Sequence, residues 1–114
     1  EFKDFAFDGL LNAVQLGQVD VAIGAISVTP ERQQVVDFTN LYYIGNSVVL
    51  ARTSFTATVT SATDLADLRV GVQRGSTYQQ WAQRNLVDKG LIVQDSLVPY
   101  STPSEMIRDI RNGS

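Results

Sequence analysis

From Val19 to Ile26 the chain is nearly continuously apolar, reading Val19-Asp20-Val21-Ala22-Ile23-Gly24-Ala25-Ile26. A strand with one wet face alternates apolar and polar residues. A run without that alternation is what a strand covered on both faces requires, as in a parallel sheet. Just beyond it stands Thr29-Pro30-Glu31-Arg32. Thr can cap a helix, Pro fits the first helical position because its missing N–H would be unpaired there, and an acid suits the first turn. The pattern therefore predicts a strand followed by a short helix that ends near Val36.

The same grammar recurs along the chain. Glu1 to Phe7 alternates loosely and reads as a strand end. Asp8 is the expected N-cap of a helix through Leu10, Leu11, Val14 and Gln15, with Gly17 placed for a left-handed end. Tyr42 to Arg52 reads as strand, and Thr53 to Thr63, rich in Thr, Ser and Ala, as a linker or an exposed strand. Thr63-Asp64-Leu65 opens a helical turn, Arg69-Val70-Gly71-Val72 is a strand, and Gly75-Ser76-Thr77 leads a helix through Tyr78, Trp81, Ala82 and Leu86 that Gly90 stops. Leu91-Ile92-Val93 reads as a strand, Val98 begins a further short one, and Thr102 to Arg111 is a helix. Strands alternating with helices at this spacing predict an α/β fold with mainly parallel pairing. Leu10 to Gly17 also resembles Met106 to Gly113. Two βαβ lobes of similar build explain this; chance similarity of two amphipathic helices is the other reading.

Composition narrows the chemistry. The 114 residues contain no His and no Cys, which excludes imidazole and thiolate metal sites, disulfides and His- or Cys-based catalysis. The formal charge of −3 argues against general nucleic-acid binding. The charge is uneven: residues 1–50 hold the acids Glu1, Asp4, Asp8, Asp20, Glu31 and Asp37 against Lys3 and Arg32 alone. No apolar run is long enough to cross a membrane as a helix. Glu1 is not an initiator residue, so a mature or cut chain is expected.

Two places could carry binding. Arg32 lies in the first turn of a helix, where cations are normally disfavoured. There a guanidinium and free backbone N–H groups could together hold a carboxylate, with a surface ion pair to Glu31 or Asp37 as the alternative. Gly75-Ser76-Thr77 offers N–H groups and two hydroxyls at a helix start, a cradle for a small anion or an ordinary cap. It lacks the Lys and spacing of a nucleotide-binding loop. One or both of Phe5 and Phe7 read as core, and Tyr42, Tyr43 and Trp81 as core or hinge. No carboxylate pair is marked by spacing, and no catalytic residue, metal or cofactor is expected.

Taken in order, these segments resemble the polar amino-acid-binding family of bacterial solute-binding proteins, the receptors of ABC importers. The resemblance is carried by Phe7-Asp8-Gly9-Leu10 through Gly17-Gln18-Val19-Asp20-Val21-Ala22, by Ser27-Val28-Thr29-Pro30-Glu31-Arg32, by Val36-Asp37-Phe38-Thr39-Asn40-Leu41-Tyr42-Tyr43, and by Asp64-Leu65 through Val70-Gly71-Val72-Gln73-Arg74-Gly75-Ser76-Thr77. It implies a type 2 periplasmic-binding-protein-like fold, two-lobed with a hinge, and a ligand held in the cleft. Residues 1–50 would be the later part of lobe 1 and residues 51–114 the hinge crossing and first half of lobe 2, so that the chain reads as an incomplete fragment.

By the same resemblance, Arg32 would clamp the ligand's α-carboxylate. The backbone of Gly24 and Ala25, with the hydroxyl and N–H of Ser27, would hold its polar head, and Phe7 would pack on its side chain. Thr77, with Ser76 nearby, would reach the carboxylate on closure, and Gln73 sits where side-chain selectivity is set. Ala25 departs from the small polar residue or Gly of the pattern. Arg74 is a candidate for an acidic ligand, or else a solvated side chain. The acid that pairs with the ligand's ammonium would fall beyond Ser114. The implied partners are an amino acid and a membrane permease, outside the cytoplasm, with self-association through unpaired edges or by swapping if the 114 residues stand alone. The same fold also serves the ligand-binding domains of glutamate-receptor-like channels and sensor kinases, dehydratase-type enzymes, and non-catalytic parts of peptidoglycan lytic enzymes. Fold alone does not separate these.

Overall fold

The computed structural model describes residues 1–114. The chain divides into two compact units, Glu1–Ser47 and Val48–Ser114.

In the first unit a 3-10 turn, Phe7–Gly9, runs directly into α1, Leu10–Gln15. Gly9 is already helical, so Asp8 lies inside the turn; Ala6 takes the capping position and no side chain caps it. The expected Asp8 cap is thereby displaced. The helix ends as its glycine requires. Gly17 adopts φ +67°, and the N–H groups of Gly17 and Gln18 donate to the carbonyls of Val14 and Ala13. Pro30–Gln33 forms α2, with Thr29 Oγ1 accepting from the Arg32 N–H at 3.3 Å.

The run Val19–Ile26 does not form a strand, and neither do the segments 1–7 and 42–52. No segment of this unit hydrogen-bonds alongside Val19–Ile26, and a strand exists only as part of a ladder. Val21 and Ile23 are accordingly 68% and 74% exposed, and Ala13 is the one buried apolar residue of the unit. Tyr42, Tyr43 and, in the second unit, Trp81 are exposed rather than core, while Phe5 and Phe7 are half-buried.

The second unit carries the parallel pairing. Strand β1, Val70–Gln73, leads to α3, Thr77–Ala82, which continues as one π turn, Gln83–Val87; β2, Leu97–Tyr100, and α4, Pro103–Asn112, follow. β1 and β2 are parallel, with Val70 opposite Leu97 and Val72 opposite Pro99. Leu65, Val72, Ala82, Leu86, Ile92 and Leu97 form its core. The predicted strand Leu91–Val93 is absent because its donors are used elsewhere: the N–H groups of Leu91 and Ile92 both bond the Leu86 carbonyl at the helix end. Ile92 is buried all the same, which explains its apolar signal.

The ends of α4 follow from its sequence. Thr102 Oγ1 accepts from the Glu105 N–H and Glu105 Oε2 accepts from the Thr102 N–H, a reciprocal capping box. At the other end Gly113 adopts φ +82°, and the N–H groups of Gly113 and Ser114 bond the carbonyls of Ile110 and Asp109. This is the bonding pattern of α1, so the resemblance of Leu10–Gly17 to Met106–Gly113 corresponds to one shared helix-ending motif.

Thr53–Thr63 is irregular and leads into a 3-10 turn, Ala62–Leu65. Asp64 Oδ2 accepts from the N–H groups of Thr60 and Ser61, each at 2.8 Å, and from both hydroxyls at 3.0 Å. The backbone bonds from Thr60 and Ser61, and then those hydroxyls, hold its pKa down at about 2. Because the folded value is depressed, the stabilisation is complete above the unfolded value of about 3.9 and is lost as pH falls through about 2. The Thr60 and Ser61 amide signals are therefore expected to shift together in an NMR titration between those limits. Asp64→Asn should abolish that transition, and amide shifts that persist in this variant would assign it to another group.

Candidate functional site

Of the residues predicted in the first unit, Ser27 and Phe7 contact Arg32. The side chain is only 8% exposed. Its Nη1 donates to the Ser27 carbonyl at 2.7 Å, and the guanidinium carbon lies 5.7 Å from the centroid of the Phe7 ring. Both contacts suit a cation, one electrostatically and one through the ring's negative face. Burial pulls the Arg32 pKa down from its ordinary value, but a guanidinium stays protonated in proteins. Thr29 and Pro30 start the helix, and that start points Arg32 back toward Ser27, five residues earlier.

Gly24, Ala25 and Ser27 lie on an exposed, irregular stretch, and Ser27 is the one of the three in contact with this cation. Gly24 is close to Leu10: a β-carbon there would meet Leu10 Cδ1 at 3.4 Å. Ala25 holds φ +49°, a conformation an L side chain rarely adopts, and its N–H donates to the phenolic oxygen of Tyr42 at 2.9 Å. Tyr42 is the residue that sequence reasoning missed here. The aromatic pair Tyr42-Tyr43 was visible, but nothing local ties it to a residue seventeen positions earlier.

The first unit also has an apolar hollow of about 170 Å³, lined among others by Leu11, Val14, Ala22, Gly24, Ile26 and Phe38. Of the predicted site residues it takes in only Gly24. Asp20, Asp37, Thr39 and Tyr42 complete a lining that is otherwise apolar, and the guanidinium is not part of it.

In the second unit Ser76 is the N-cap of α3 and only 2% exposed. Its hydroxyl donates to the Gln73 carbonyl at 2.6 Å and accepts from the Gln79 N–H at 3.2 Å. It is thus committed as donor and acceptor, which is the ordinary cap that the motif allowed. Thr77 follows at the first helical position, half-buried. Gln73 ends β1, half-buried, and its carbonyl orients Ser76. Arg74 is exposed, with Nη2 3.4 Å from the Pro99 carbonyl. Gln79 Oε1 accepts from the Gly75 N–H at 2.8 Å, a contact that fixes the glycine turn ahead of the helix.

Each unit thus has a helix start capped by a hydroxyl, Thr29 in the first and Ser76 in the second. Residues 1–112 match the model of the bacterial extracellular solute-binding proteins, family 3, and the chain belongs to that family. Relatives include the ABC transporter arginine-binding protein 1 of Escherichia coli K12, 31% identical over 98% of this chain and 42% of that protein. The L-arginine-binding protein of Pseudomonas aeruginosa is 32% identical over 94% of this chain and 39% of its own length. Among solved structures, an ancestral arginine-binding protein bound to arginine aligns with a TM-score of 0.75 and 30% identity, over 99% of this chain and 48% of that one. The chain thus spans less than half the length of the relatives it matches.

Proposed function

We propose that the protein captures a free amino acid outside the cytoplasm and presents it to the membrane permease of an ABC importer. The observation that carries this reading is Arg32, a buried guanidinium held at a helix start by the Ser27 carbonyl and covered by Phe7. A carboxylate meeting such a group gains a charge-assisted, geometrically selective bond, and partial burial keeps water from competing. Arg32 takes the α-carboxylate, Ser27 and the backbone at Gly24 and Ala25 take the polar head, and Phe7 packs on the aliphatic stem. Thr77 completes the carboxylate contacts on closure, Ser76 shapes that helix start, and Gln73 contributes to side-chain selectivity. The break between Ser47 and Val48 supports reading residues 1–50 and 51–114 as parts of two lobes. Binding without chemical conversion fits family membership, since the family is one of solute-binding proteins.

Relatives named for arginine make arginine the first ligand to test, with cystine and histidine next. Calorimetric titration of the intact protein with a panel of free amino acids is expected to show one-site binding to at least one of them. That ligand should also raise the melting temperature by mass action. Absence of heat and of thermal shift across the whole panel would overturn the reading.

A further inference from the structure

The hydrogen bond between Tyr42 and Ala25 lies next to the proposed ligand site and is unused in the reading above. We infer that Tyr42 is a positioning residue for that site, acting by holding Ala25 in left-handed backbone; the inference rests on the proposed amino-acid binding. Only two non-glycine residues of the chain have positive φ, Ala25 at +49° and Asp67 at +61°. In each case the strained residue's own N–H is tied to a distant acceptor: Asp67 to the Leu91 carbonyl at 3.0 Å, and Ala25 to the Tyr42 phenol at 2.9 Å. In a left-handed residue the β-carbon crowds the following carbonyl, so the conformation persists only where surroundings impose it. Ala25 is exposed and in no element, so packing does not impose it, and the phenol is the one hydrogen-bond partner of its N–H.

The consequence reaches Arg32 through the backbone. Ala25 is two residues before Ser27, whose carbonyl takes Arg32 Nη1 at 2.7 Å. The dihedrals at Ala25 set where that carbonyl points and hence where the guanidinium rests. Tyr42 thus aims the cation without touching the ligand.

The test pairs a deletion with a rescue. Tyr42→Phe keeps the ring and removes only the acceptor, and is expected to weaken arginine binding by about 3- to 10-fold, the worth of one ordinary hydrogen bond. Adding Ala25→Gly should recover most of that loss, because glycine adopts positive φ without the β-carbon penalty. A Tyr42→Phe defect that Ala25→Gly leaves untouched, or no defect at all, would overturn the inference. Amide hydrogen exchange supplies a readout that needs no ligand. The exposed Ala25 N–H should be protected in the wild type and lose that protection in Tyr42→Phe, and an unprotected wild-type amide would overturn the contact itself. If the wild type binds no amino acid while Ala25 is protected only when Tyr42 is present, the functional reading fails and the positioning of Ala25 by Tyr42 is supported.

Discussion

Arg32→Ala is expected to remove measurable amino-acid binding from the intact protein. Two effects act in the same direction. On the proposed reading the ligand's carboxylate loses its charged partner, which typically costs ~2–5 kcal/mol, roughly 30-fold or more in affinity. The Ser27 carbonyl also loses its donor and the Phe7 ring loses the cation beside it, so the backbone that should hold the polar head is no longer pinned. Arg32→Lys separates the two. It restores charge at about the right reach but cannot present the planar fork, so it should bind better than the alanine variant and far worse than wild type. Calorimetry should be run on all three proteins, with circular dichroism to establish that each is folded. A folded Arg32→Ala protein with wild-type affinity would remove Arg32 from the site and with it the main support for the carboxylate clamp.

What could be read from the residues divides by range. Most starts and ends of helices were legible because they are local chemistry: Thr29-Pro30 opens α2, Thr102 opens α4, and Gly17 ends α1 with positive φ, whereas the expected Asp8 cap was displaced. The short strand at Val70–Gln73 was legible for a similar reason, lying between two turn signals. Val19–Ile26 was misread because an apolar run states a preference for burial, whereas a strand needs a second segment to pair with. Leu91–Val93 misled in another way. Ile92 is buried as its side chain demands, but the backbone is spent on closing the helix before it.

The site shows the same division. That Arg32 stands at a helix start follows from its immediate neighbours. That it donates to Ser27 and lies over Phe7 depends on how the intervening segment folds back. The left-handed backbone of Ala25 was illegible altogether, since alanine carries no signal for positive φ and its partner Tyr42 is remote in sequence. For Ser76 the local reading as an ordinary cap described its hydroxyl fully.

The largest expected loss of stability falls in the second unit. Leu86 is 0% exposed and is the one large side chain of the protein that is fully buried. It belongs to the core formed with Leu65, Val72, Ala82, Ile92 and Leu97, so both strands and the helix between them rest on it. Its carbonyl also receives the N–H groups of Leu91 and Ile92, which anchors the chain as it leaves the π turn. Leu86→Ala deletes buried methyl groups and leaves a cavity that the flanking elements can only partly close, a change that costs ~2–5 kcal/mol. A unit of this size holds only about 3–10 kcal/mol in total, so the loss is a large share of what keeps it folded. Urea unfolding of the intact protein should show the second unit's transition moving to much lower denaturant, with amide exchange in β1 and β2 accelerating together. Leu86→Met keeps the volume and should cost less than ~1.5 kcal/mol, which guards against attributing the loss to substitution at this position in general. A Leu86→Ala protein within ~1 kcal/mol of wild type would mean that β1, α3 and β2 are held by something other than this core, since an ordinary surface substitution costs only about half that.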